Sequence, residues 1–129
     1  MEDHYVKRIL KVLVYIEDHI DGEMALEELA QVAAYSPFHF HRIFQAIVGE
    51  TVHKYVRRLR LEKAASRLRH SNKPITDIAL DASFDTSSAF TRVFKQCMGQ
   101  APRNYRLLYR EVNNMTQKIA QLPMSTPMP

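Results

Sequence analysis

The sequence carries a second copy of part of itself. Leu29, Ala30, Ala33 and Tyr35 return as Ile78, Ala79, Ala82 and Phe84, a shift of 49. Arg42, Phe44, Gly49 and Tyr55 return as Arg92, Phe94, Gly99 and Tyr105, a shift of 50. The second copy therefore holds one extra residue in its turn. A repeat of this period restricts the chain to folds in which one supersecondary unit is built twice. Each copy reads as a short helix, a tight turn, a longer helix, a glycine and a further helix, which is the helix-turn-helix plan. Small alanines at 30, 33, 79 and 82 let two helices cross closely, and the aromatic at 35 or 84 seals the turn.

Periodicity fills in the rest. A first helix is expected over about His4–Ile20, capped by Asp3, with Val6, Ile9, Leu10, Leu13, Ile16 and Ile20 on one apolar stripe. A short helix follows near Leu26–Ala33. Ser36 is placed to cap the next helix, and Pro37 suits its first turn, where no amide donor is missed. There Phe40, Ile43, Phe44 and Ile47 form the inner stripe, and Gly49 ends the helix. The longest helix is expected over Val52–Arg69, rich in good helix formers and spanning roughly 27 Å. Helices near Ile75–Ala82, Thr86–Met98 and Pro102–Val112 complete an all-α chain of about seven helices. The expected division is 1–50 for the first helix-turn-helix subdomain, 51–70 for the linker helix, 71–112 for the second subdomain, and 113–129 for a flexible tail or linker ending in LPMSTPMP.

Charge reads either as a solvated basic surface or as a face for a polyanionic partner. The net charge of +4 divides into −5 over residues 1–30 and +9 over residues 31–129. A basic face on a helical domain suits double-stranded DNA. The chain has no apolar run long enough to span a bilayer and does not open on a signal peptide. With the lone Cys97 it fits a reducing, cytoplasmic, nucleoid-associated setting without a membrane. Cys97 itself is expected in the core on the Phe90–Phe94 stripe. No nucleophile–base arrangement, glycine-rich phosphate loop or metal-ligand spacing is present. No enzyme, cofactor or metal is therefore expected. His39 and His41 lie two apart on a helix and do not share a face.

The second helix of each copy carries groups that can hydrogen-bond base edges. These are Phe38, His41, Arg42 and Gln45 in the first, and Ser87, Ser88, Thr91 and Arg92 in the second. Phe38 reads either as a base contact or as a packing residue, and Ser87 and Ser88 either as readers or as caps. Phosphate contacts are expected from Ser36, Lys54, Arg57, Arg58, Lys95 and Arg103. Arg57, Arg60 and Lys63 can instead pair with the acidic first helix. The competing reading is a helical protein-interaction module that contacts RNA polymerase, with DNA binding secondary.

Two stretches carry a family resemblance: LEELAQVAAYSPFHFHRIFQAIVGETVHKYVRRLRLEKAASRL and PITDIALDASFDTSSAFTRVFKQCMGQAPRNYR. The sequence resembles the DNA-binding domain of AraC/XylS transcription regulators, especially the branch containing MarA, SoxS and Rob, over about residues 5 to 107. Phe84, Phe90, Arg92, Phe94, Lys95, Pro102, Tyr105 and Arg106 stand where the family's C-terminal signature places them. The resemblance implies a DNA-binding unit that acts as a monomer, or within a dimer, and puts both recognition helices into successive major-groove segments. A transcription regulator acting as an activator is expected, with RNA polymerase as a protein partner. By position, Phe38, His41 and Arg42 match the base-reading residues of the first helix, and Ser87, Ser88, Thr91 and Arg92 those of the second. His41 stands where the branch has Gln, and Ser87-Ser88 where it has a Gln pair, which implies a different operator. The SPFHFHRIF and GETVHKYVRRLRLEKAA segments resemble members with an effector domain after the DNA-binding half, so the chain reads as such a fragment or as a short stand-alone regulator.

Overall fold

Local chemistry sets the helix ends. The computed structural model describes residues 2–123, and over that range it contains seven helices and no strand. They are α1 (Glu2–Asp18), α2 (Leu26–Val32), α3 (Pro37–Val48), α4 (Val52–His70), α5 (Ile75–Asp81), α6 (Ser87–Met98) and α7 (Pro102–Ala120). The Ser36 hydroxyl accepts from the His39 amide at the start of α3, with Pro37 in the first turn. Gly49 (φ 91°) and Gly99 (φ 81°) end α3 and α6 in the left-handed region, each donating to a carbonyl four residues back. Asp3 lies inside α1 instead of capping it. An acid there still favours the helix, because the first turn carries partial positive charge.

The chain divides into two compact units. The first holds α1 to α3 and α4 through Lys63, together with Asp81–Ser83; the second holds α4 from Ala64, α5 to Leu80, and the chain from Phe84. In the first unit Ile9, Val12, Ile16 and Ile20 pack with Leu29, Ala30, Ala33, Phe40, Phe44 and Val52. The expected stripe on α1 is shifted: Val12 is buried, while Val6 and Leu10 are exposed. At about 100° per residue the buried arc runs from Val12 to Ile20, and Val6 and Leu10 fall beyond its far edge.

In the second unit Phe84, Phe90, Phe94 and Tyr105 form a chain of edge-on and tilted rings with centroids 5.3–5.5 Å apart. The first unit has its counterpart in Phe40, Phe44 and Tyr55, at 5.7–5.8 Å. Ile47 and Cys97 occupy equivalent places and both face solvent, contrary to the expected inner stripes. Cys97 follows Val93 by one helical turn, and Val93, at 8% exposure, already forms the edge of the buried face. The last helix continues past Val112 to Ala120. The expected Pro-rich end from residue 124 lies outside the described residues.

Candidate nucleic-acid interface

The turn of each unit is built alike. Tyr35 donates its amide to the Ala30 carbonyl and Phe84 to that of Ala79, each at 3.0 Å. Ala34 (φ 59°) and Ser83 (φ 68°) make the corner in the left-handed region without a glycine. The extra residue of the second copy is Asp85, which falls between the sealing aromatic and the cap. The cap is Thr86, whose hydroxyl accepts from the Ala89 amide. Ser87 and Ser88 are thereby released from the capping role and stand as the first two residues of α6.

On α3, Phe38, His41, Arg42 and Gln45 follow the i, i+3, i+4, i+7 pattern of a single face. Ser88, Thr91, Arg92 and Lys95 do the same on α6, at a constant shift of 50. Both sets of four lie off the sides that carry Phe40 and Phe44 or Phe90 and Phe94, whose rings are fully buried. Phe38 is 73% exposed, and the Arg42 guanidinium lies 5.9 Å from its ring centroid, so the two side chains are held together over one turn. His41 and Thr91 are half-buried, while Arg42, Gln45, Ser88, Arg92 and Lys95 are exposed. Ser87, half-buried, precedes its stripe in the place equivalent to Pro37. Neither α3 nor α6 contains an acidic residue. Both faces therefore present donors and positive charge without a carboxylate that would repel phosphate. Lys95, expected as a phosphate contact, shares the outer face of α6 in the place of Gln45. The constant 50-residue shift was the signal that could have placed it there.

The expected phosphate contacts separate into different groups. Lys54 and Arg103 are exposed near the starts of α4 and α7, and Arg57 is exposed on α4. Ser36 spends its hydroxyl oxygen on the cap. Arg58, with its side chain 49% exposed, is paired at the surface: it donates to Glu50 at 2.7 and 3.1 Å and to Glu62 at 3.0 Å, and these bonds raise its pKa further. A phosphate contact from Arg58 would compete with these two carboxylates. Arg60 lies near the Asp21 carboxylate, just past the end of α1. It donates to the backbone carbonyls of Ile20 (3.1 Å) and Gly22 (2.7 Å), closing the end of that helix. Arg106 repeats the clasp in the second unit, on the carbonyls of Leu68 (3.1 Å) and Lys73 (2.7 Å). Burial lowers the pKa of both arginines.

The profile of the helix-turn-helix domain family matches residues 29–107, which span both turns, α3 and α6. The chain belongs to the AraC/XylS family. It is similar to the transcriptional regulator Rob of Salmonella typhimurium, with 40% identity over 98 residues that cover 76% of this chain and 34% of Rob. It is also similar to the HTH-type transcriptional activator AarP of Providencia stuartii, with 37% identity over 99 residues, covering 77% of this chain and 73% of AarP. The crystal structure of the AdpA DNA-binding domain, in complex with a target DNA, has the same fold: TM-score 0.74 at 24% identity, over 80% of this chain and 93% of that one. The chain spans only 34–39% of the length of several longer relatives that it matches. AraC/XylS members are DNA-binding transcription regulators and not enzymes. Within the family signature, the structure separates roles: Phe84, Phe90, Phe94 and Tyr105 build the ring chain, and Arg106 holds the end of α4. Arg92 and Lys95 face outward.

Proposed function

We propose that this chain binds double-stranded DNA sequence-specifically and regulates transcription, as an activator, by placing α3 and α6 in successive major-groove segments. The observation that carries the reading is the pair of equivalent, acid-free outer faces on two capped helices. An α-helix fits the major groove, and Arg, Gln, His, Ser and Thr are side chains that recognise base edges there. In this reading Phe38, His41, Arg42 and Gln45 read bases, with Ser87, Ser88, Thr91 and Arg92 on the second helix. Lys54, Arg57, Arg103 and Lys95 supply phosphate contact. One copy carries both reading helices, so a single chain fills one site. RNA polymerase is the partner through which activation proceeds, and the cytoplasm, on the nucleoid, is the setting.

The test is the salt dependence of binding to duplex DNA. Neutralising about five to eight phosphates gives a log–log slope of roughly −4.5 to −7. A slope between about 0 and −1 contradicts the reading and favours a protein-interaction module, whose apolar contacts release no condensed counterions.

A further inference from the structure

Among the described residues, the second half of α7 has no neighbour outside its own helix. Arg110 is the last of α7 to make a contact with another described element, to the Ser71 carbonyl and the Asn72 side chain. From Glu111 to Ala120 every residue is exposed, and the hydroxyl of Thr116 donates to the Val112 carbonyl of its own helix. Ten residues of helix are marginal in water unless an apolar face is covered. This stretch has such a face. Leu108, Val112, Met115 and Ile119 are spaced four, three and four apart and are 51–64% exposed. That is the alternating seam of a coiled coil, with β-branched residues at one core position and Leu or Met at the other. The opposite side carries Asn113, Asn114 and Gln117.

The charges that flank the seam indicate what covers it. Glu111 and Lys118 occupy the same flanking position in successive heptads. Between two antiparallel copies this position meets itself across the interface, so Glu111 faces Lys118 of the other copy, twice by symmetry. The same register stacks Leu108 on Ile119 and Val112 on Met115, again twice, and sets Tyr109 beside Thr116. All four apolar layers and both charges are thus matched in one register. In a parallel pair Glu111 would face Thr116 and no ion pair would form.

We infer that the α7 seam is the docking surface for a second copy of this chain, which pairs antiparallel and is isologous about a two-fold axis. The inference does not depend on the DNA reading. Four layers bury less than a standard stable interface, so the pairing is weak and concentration-dependent.

Sedimentation equilibrium of the full 129-residue chain tests this. The mass should rise from 15.0 kDa toward about double as concentration approaches ~300 μM. Glu111→Lys alone and Lys118→Glu alone should each remain monomeric, because each places like charges together twice. An equimolar mixture of the two variants should recover the dimer, since every pair is then opposite in sign. Circular dichroism should show both variants folded, which these exposed positions allow. A wild-type chain that stays monomeric across the range overturns the inference and leaves the seam to a different partner. A dimer indifferent to both charge reversals overturns it too, as do singles that stay monomeric when mixed.

Discussion

The two helix-turn-helix units share a backbone and differ at the face. Both have a left-handed corner made by a residue other than glycine, a hydroxyl cap, and a glycine end. Yet the first face offers Phe38, His41, Arg42 and Gln45, while the second offers Ser88, Thr91, Arg92 and Lys95. Long donors and an exposed ring that braces Arg42 suit direct contact with base edges. Two short hydroxyls cannot reach far, and two cations one turn apart suit phosphate. Equivalent scaffolds therefore do not imply equal roles: we assign most of the reading to α3 and more of the positioning to α6.

The comparison can be broken first at its base, the claim of equal scaffolds. Phe44→Ala and Phe94→Ala each remove a fully buried ring and should cost about 3–5 kcal/mol. Hydrogen exchange should show the largest loss of protection in the unit that holds the mutation. Equal loss in both units from either variant would show that they do not form separate cores.

The next effect sharpens the difference at the face. Arg42→Ala should cost about 1–3 kcal/mol on the best site and relax preference at one or two base pairs. Arg92→Ala should weaken specific and non-specific binding more evenly. Binding of both variants to selected and scrambled duplexes at one fixed salt separates them. The reverse pattern would exchange the two roles. Neither variant should lower the melting temperature appreciably, because both side chains are exposed.

A third, smaller effect returns to the scaffold. Gly49→Ala and Gly99→Ala place a Cβ in open space, so only the positive φ opposes them. Each should cost about 1–2 kcal/mol, and by similar amounts, in thermal or urea unfolding. A clear inequality would mean that the two helix ends are not equivalent. The smallest effect exchanges the paired face residues. Lys95→Gln should make the log–log salt slope shallower by about 1, and Gln45→Lys should steepen it by about 1, if both positions lie near phosphate. No change from Lys95→Gln would remove Lys95 from the contacts.

Much of this was legible in the sequence where one residue type has one physical use. Ser36-Pro37, Gly49 and Gly99 mark helix ends because each satisfies a backbone requirement, and the structure has them there. The repeat itself located both turns. What periodicity could not resolve was which edge of a broad apolar stripe faces inward. Periodicity favours Leu10 over Val12, and it puts Ile47 and Cys97 inside because it extends the stripe one turn too far. Pairings distant in sequence were also hidden. Nothing in the run of basic residues tells that Arg58 pairs with Glu50 and Glu62. The clasps of Arg60 and Arg106 bridge nearly forty residues and needed coordinates. The length of α7 was readable in principle. Val112, Met115 and Ile119 keep helical spacing, but Asn113, Asn114 and Thr116 between them lower the local helix propensity.

The central claim is that these two faces recognise a particular DNA sequence. The most direct measurement selects sites from random duplex DNA with the purified chain, then compares affinity for the selected site with that for a scrambled duplex at one salt concentration. The account predicts a ratio on the order of 10³ or more, with two unlike protected patches about 10 base pairs apart. A ratio near one, with no sequence enriched, would contradict it.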